Sequence, residues 1–153
     1  MVVSVSTTNI FLGVFYLLAI VVAGGYAFEH RKKLDCMNCM MAGMIFGAMA
    51  GLAFGTLFAL ETGDFVWGTI FGTVIGAIAG VGIGISGGAM GAMEGMMAAP
   101  MGGLMGSMTG IMVRAYDVEL FLAFFTVILL VTLAGMSYLI HEAVQSHHRL
   151  NSA

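Results

Sequence analysis

The segment "GTIFGTVIGAIAGVGIGISGGAMGAMEGMMAAPMGGLMGSMTG", residues 68–110, carries the two patterns that decide the fold. Its first half repeats glycine at every fourth position. Its second half, from Ala89 on, mixes seven methionines with six glycines, one glutamate and one proline. Neither half shows the charged stripe of a helix lying in water. The question is why one apolar run holds both a row of thioethers and a carboxylate.

The rest of the chain supplies the setting. Of its 153 residues 60% are hydrophobic and 8% are charged, and the mean hydropathy is +1.04. A soluble domain carries roughly 25% charged residues. So few polar groups cannot cover a folded domain in water, and the composition predicts an all-α integral membrane protein, a polytopic helical bundle. The formal net charge of −3 comes from few groups. No basic patch suits nucleic acid, and no loop is long enough to hold a soluble catalytic domain.

Five apolar stretches read as membrane spans, about residues 10–28, 39–60, 65–86, 89–113 and 118–140, within a single membrane domain. The start, "MVVSVSTTN", lacks the basic residues of a signal peptide, so the first span reads as retained. Arg31, Lys32 and Lys33 form the densest basic cluster, and the positive-inside rule puts that loop in the cytoplasm. The turn "ETGD" at 61–64 then falls outside, Gly87–Gly88 inside and "RAYD" outside. The tail 141–153, with its His-His-Arg, falls inside as a cytoplasmic extension. The expected topology has the N-terminus outside and the C-terminus inside, in a bacterial inner membrane. Pro100 and the surrounding glycines weaken the fourth span, and a re-entrant 89–113 would leave four spans.

Glycine recurs at Gly43, Gly47, Gly51 and Gly55, then at Gly68, Gly72, Gly76, Gly80, Gly84 and Gly88. Small residues at this spacing let helix backbones approach closely in lipid, which predicts glycine-zipper packing. Four residues turn a helix by about 400°, so the row drifts ~40° per step. Six such glycines wrap about half way round the third helix. That predicts at least two close neighbours for it, in a central position or in an oligomer.

On a helical wheel the fourth span separates into two sides. Met90, Met93, Met97, Met101, Met105, Met108 and Met112 fall within about 60° of one direction. Glu94 falls at about 40° on the same side, and Met96 lies off it. The glycines from Gly91 to Gly110 occupy the other side. Methionine serves as a flexible filler of irregular contacts. Seven on one face ask more than that. A carboxylate inside a membrane normally faces a bundle interior or a wet cavity, so Glu94 predicts that the methionine face points inward.

The second span opens with "CMNCMMAGM", residues 36–44. Cys36 and Cys39 are too close in sequence to staple a fold, and a pair at that spacing reads as a metal or redox site. No thioredoxin-like strand–helix context surrounds it. Thiolates and thioethers are soft ligands that select Cu(I) and similar ions. The candidate metal ligands are therefore Cys36, Met37, Cys39, Met40, Met41 and Met44 with Met93, Glu94, Met97, Met101 and Met105. With five spans the two methionine-rich helix starts converge on one end of the bundle. His30, His141, His147 and His148 fall on that side too, the last two read as solvated tail residues.

Residues 36–113, through "CMNCMM", the Gly43–Gly88 ladder and Glu94-Gly95 with "MGGLMGSMTGIM", resemble a group of small Gly/Met-rich bacterial membrane proteins. That resemblance implies no established activity. The spacing of Met93, Met97, Met101 and Met105 beside a glycine-spaced helix is more loosely similar to high-affinity copper uptake transporters, which have three spans and an extracellular methionine-rich tail that this chain lacks. The reading that follows is binding and passive transport or storage of a soft metal, foremost Cu(I), by a homo-oligomer or a subunit of a membrane complex in contact with lipid. The alternatives are a glycine-zipper structural subunit, for example of a respiratory complex, and a small ion channel using Glu94. No nucleophile–base pair or paired carboxylates lie within the apolar spans, so an enzyme is not expected.

Overall fold

The structure is a computed structural model. It describes residues 2–29, 36–116 and 118–150, with side-chain surroundings for 11–22, 24–25, 37–116 and 118–138. The described residues form α1 (Val2–Glu29), α2 (Cys36–Thr62), α3 (Phe65–Gly84), a 3-10 turn (Ile85–Gly87), α4 (Gly88–Val113) and α5 (Val118–Leu150). Helix is the physical answer to such apolar runs, because it satisfies every backbone N–H and C=O within its own segment.

Among the described residues three runs are long and apolar enough to cross a membrane: Met37–Thr62, Phe65–Val113 and Val118–Tyr138, with Phe11–Val22 a shorter apolar helix. The longest of them is α3 and α4 joined through the 3-10 turn. At its foot Gly88 adopts a φ of +81°, a conformation that glycine reaches without a Cβ penalty. There the chain doubles back. Gly84 lies against Gly91, Gly80 against Gly95 and Gly68 against Ser107, so α3 and α4 are antiparallel.

Two helices extend beyond the expected spans. The tail 141–153 is helical as far as Leu150, because "HEAVQSHHRL" contains neither glycine nor proline to stop α5. And α1 begins at Val2, ahead of residue 10. The fourth segment, by contrast, stays whole. α4 runs 26 residues through Pro100 without a break. That is ~39 Å of helix, longer than the ~30 Å hydrocarbon core of a bilayer. Pro100 is exposed. Its ring and missing N–H fall away from the packed side of α4.

The most enclosed helix is α2, not α3. Within their most apolar windows 67% of the α2 span is buried, against 28% for the α3–α4 run and 28% for α5. One side of α2 meets α3 and α4. The other carries Phe46, Ala50, Phe54 and Leu57 into a core with Tyr16 and Ile20 of α1 and Leu122, Phe125 and Leu129 of α5. Tyr16 is fully buried there. Its hydroxyl shares a hydrogen bond of 2.7 Å with Thr126 Oγ1 of α5, and its ring meets Phe125 edge-on at 6.2 Å. Tyr16→Phe keeps the ring and removes this link. We expect it to lower stability by about 0.6–1.7 kcal/mol, the range of inter-helical hydrogen bonds in membrane proteins, read by denaturation in detergent.

At the opposite end from Gly88, α2 stops on Gly63. Its N–H donates to the Ala59 carbonyl at 2.9 Å, and its φ is +72°. The guanidinium of Arg114, at the end of α4, lies directly over its Cα, where a Cβ would sit. Gly63→Ala therefore meets both a strained backbone and a filled space. We expect a loss of about 1–3 kcal/mol in the same assay, with part regained when Arg114→Ala is added.

Candidate metal-handling surface

The site is positioned by the way three helices meet. Backbone approaches step regularly along α2 and α3: Gly43 with Gly84, Gly47 with Gly80, Gly51 with Gly76 and Gly55 with Gly72. Along α2 and α4 they run in the same direction: Gly43 with Gly91, Gly47 with Gly95, Gly51 with Ala99 and Gly55 with Gly103. So α3 touches both α2 and α4, antiparallel to each, while α2 and α4 are parallel. A Cβ built on Gly51 would stand 2.8 Å from the Ala99 carbonyl oxygen and 2.9 Å from the Gly103 nitrogen. On Gly76 it would stand 2.8 Å from the Gly47 carbonyl oxygen. No side chain fits at these points. Glycine is used here for closeness, not for flexibility.

Two buried hydroxyls stand in this seam that the sequence reading passed over. Ser107 donates to the Gly103 carbonyl at 2.8 Å, and Thr56 donates to the Ala53 carbonyl at 3.2 Å. Both are at most 1% exposed. The signal was available: Ser107 continues the row Gly91, Gly95, Ala99 and Gly103 by one further turn, and a small hydroxyl that bonds back to its own helix fits there.

Because α2 and α4 are parallel, their methionine-rich starts lie side by side, as the sequence placed them. Gly102 stands against Ala48, Gly106 against Leu52 and Gly110 against Thr56. Nearer the N-termini Gly43 stands against Gly91 and Gly47 against Gly95, which sets Glu94 level with the α2 turn from Gly43 to Gly47. Cys39 is 2% exposed and lies one turn before Gly43, level with the 3-10 turn. The side chain of Cys36, and His30, His141, His147 and His148, lie outside the residues whose surroundings are described.

The separation of α4 into two sides appears directly in its burial. Gly91, Gly95, Gly102, Gly103, Gly106 and Gly110 are buried, while Met93, Met97, Met101 and Met105 are 56–76% exposed. Met90, Met96, Met108 and Met112 are exposed as well. This corrects the inward direction expected for the methionine face. Within one chain the face points outward. The reason is steric. The closest inter-helix seam accepts only the smallest residues, so the glycine side of α4 is drawn inward and the thioethers are turned away. Glu94 is half-buried at the edge of that face, in the row that leads to Ala98. On α2, Met37, Met41 and Met44 are exposed, and Met40 is half-buried.

Chemically this is an array of soft donors. Among the described residues no three His, Cys, Asp or Glu side chains form a group able to hold a metal ion. The soft donors that the described part of α4 exposes are thioethers. Met93, Met97, Met101 and Met105 repeat every ~6 Å along α4. No protein-family model, curated protein or solved structure matches the chain.

Proposed function

We propose that the chain is a five-span, glycine-zipper membrane protein that binds Cu(I) or a like soft ion and passes it along, or stores it on, the thioether face of α4. The reading places it in a bacterial inner membrane with the N-terminus outside. The carrying observation is the contrast between two parts of the apolar surface. Methionine fills eight of the twelve exposed positions of α4, whereas α3 and α5 expose residues such as Ile70, Val74, Ile78, Phe124 and Val127. Lipid asks for nothing that the second set does not supply. A run of thioethers does have a use where a soft cation must be held and released.

Cys36 and Cys39 act first, as the higher-affinity pair at the foot of α2. Met40 and Met44 flank the seam above them, and Glu94 at its edge offsets the ion's charge. From there Met97, Met101 and Met105 form the onward path. No nucleotide-binding loop is present in the sequence, so movement is passive or tied to another gradient. The test is a Cu(I) competition titration of the purified chain. Wild type is expected to bind. A variant with Cys36→Ser, Cys39→Ser and the four stripe methionines Met93, Met97, Met101 and Met105 changed to Leu is expected not to. Binding that survives all six changes rejects the proposal.

One observation favours a second reading. Met136 is 5% exposed in the α1–α2–α5 core, so this chain also uses methionine as plain filler. On that reading the chain is a structural subunit of a larger membrane complex, and the α4 face is an adaptable docking surface. It then retains assembly after Met→Leu changes and shows no Cu(I) affinity.

A further inference from the structure

We infer that a groove between α1 and α3 seats one acyl chain of a membrane phospholipid. This binding site is separate from the methionine face and independent of the metal reading.

The groove has a volume of about 400 Å³ and is bounded by α1, α2 and α3. Ile20 of α1, Phe54 of α2 and Ile83 of α3 form its floor, each at most 9% exposed. Val21 and Ile78 stand at its rim and are exposed. Its described lining holds no polar side chain. A Cβ on Gly24 would stand 3.1 Å from Ile83 Cδ1, so α1 and α3 touch at the end nearer the Gly88 turn. From Ile75 to Ile83 the groove follows ~12 Å of helix. That fits within the ~15 Å of one leaflet, half of the hydrocarbon core.

Gly82 is the decisive residue. The other glycines of α3, at 68, 72, 76, 80 and 84, each press against another helix. Gly82 breaks that four-residue row, lines the groove, and would place a Cβ with nothing within 4 Å. Glycine weakens a helix relative to alanine. No contact inside the chain asks for it at this position, and its effect is to keep one wall of the groove open.

Size and polarity choose the occupant. A helix with its side chains is ~10 Å across, so ~12 Å of it would fill roughly 900 Å³. The groove offers less than half of that. An extended peptide would bring N–H and C=O groups that an apolar wall in lipid leaves unpaired. A hydrocarbon chain is thin, carries no such groups, and is present at this depth. Lipid over an exposed residue such as Val127 meets one side of one helix. A chain in the groove meets three helices and reaches buried floor. The crease between α1 and α5 differs, because Leu133 alone of its described lining is buried.

The experiment uses the full chain in phosphatidylcholine vesicles containing phosphatidylcholine with a diazirine midway along one acyl chain. After irradiation, labelled residues are mapped by peptide mass spectrometry. Label is expected on the floor at Ile20, Phe54 and Ile83, besides exposed positions such as Val127. Gly82→Leu fills the groove and is expected to abolish floor label while Val127 label persists. Ala134→Leu, in the α1–α5 crease, is expected to leave both. SDS denaturation followed by Trp67 emission checks that the variants fold as wild type. Label confined to exposed positions in wild type means an ordinary lipid shell or a groove covered by protein, and overturns the inference without recourse to any variant. Floor label that survives in folded Gly82→Leu, or is lost equally in Ala134→Leu, also overturns it.

Discussion

Gly80→Ala is expected to cost more than about 3 kcal/mol, while Gly82→Ala, two residues away on the same helix, is expected to be neutral or to gain up to about 1 kcal/mol. The added atom is one methyl group in both. At Gly80 it would stand 2.6 Å from the Gly95 carbonyl oxygen and 2.9 Å from the Gly47 Cα, between two neighbouring backbones. At Gly82 nothing lies within 4 Å. Backbone cannot rotate aside as a flexible side chain can, so relief at Gly80 requires α3 to move away from α2 and α4 together. Gly82 has only the helix-propensity gain. Denaturation by SDS in mixed micelles, followed by tryptophan emission from Trp67, reads both variants. Equal stabilities would mean that the three helices do not approach as described here.

The other large effect is expected from four changes on the outer side of α4. Met93→Leu, Met97→Leu, Met101→Leu and Met105→Leu together are expected to leave folding within about 1.5 kcal/mol of wild type. All four side chains are more than half exposed, and leucine nearly conserves their volume. Cu(I) affinity along the face is expected to fall by more than about 100-fold, since loss of the donors themselves exceeds the usual effect of disturbing their supports. Met136→Leu is the control. It changes the same atoms in a buried position and is expected to leave Cu(I) binding unchanged. Competition with a chelator of known Cu(I) affinity, paired with the denaturation curve, gives both readouts. An unchanged affinity in the four-fold variant would move the function to the cysteine end of α2 or to the structural reading.

Much of the candidate surface was legible before the fold was known. The wheel already put Gly91, Gly95 and Gly102 opposite Met93, Met97 and Met101, because that relation depends only on the turn of one helix. The convergence of "CMNCMM" with "AMGAMEGMM" followed from counting passes. The direction of the methionine face did not follow. A wheel reports angles about one axis and nothing about which side another helix occupies. Glu94 suggested that the thioether side is the inner one, through the cost of a carboxylate in lipid. The competing demand, that glycine rows need a backbone at their surface, decided the other way within the chain. The buried hydroxyls of Ser107 and Thr56 were missed for a related reason. Hydroxyls that bond back to their own helix cost little in an apolar seam, so they leave no signature in composition, and only the four-residue row that Ser107 continues pointed to one of them.

By itself the sequence determined the class of the protein and the side of each helix on which glycine or methionine stands. Too few charged groups exist to cover a domain in water, and the residue spacing matches the turn of a helix. Only the tertiary structure decided that α2 is the enclosed centre, that α4 runs unbroken through Pro100, and that its thioethers turn outward. Those outcomes depend on how three backbones share one seam, where Gly80 meets Gly47 and Gly95 at once. Closeness of that kind is a property of the assembled helices.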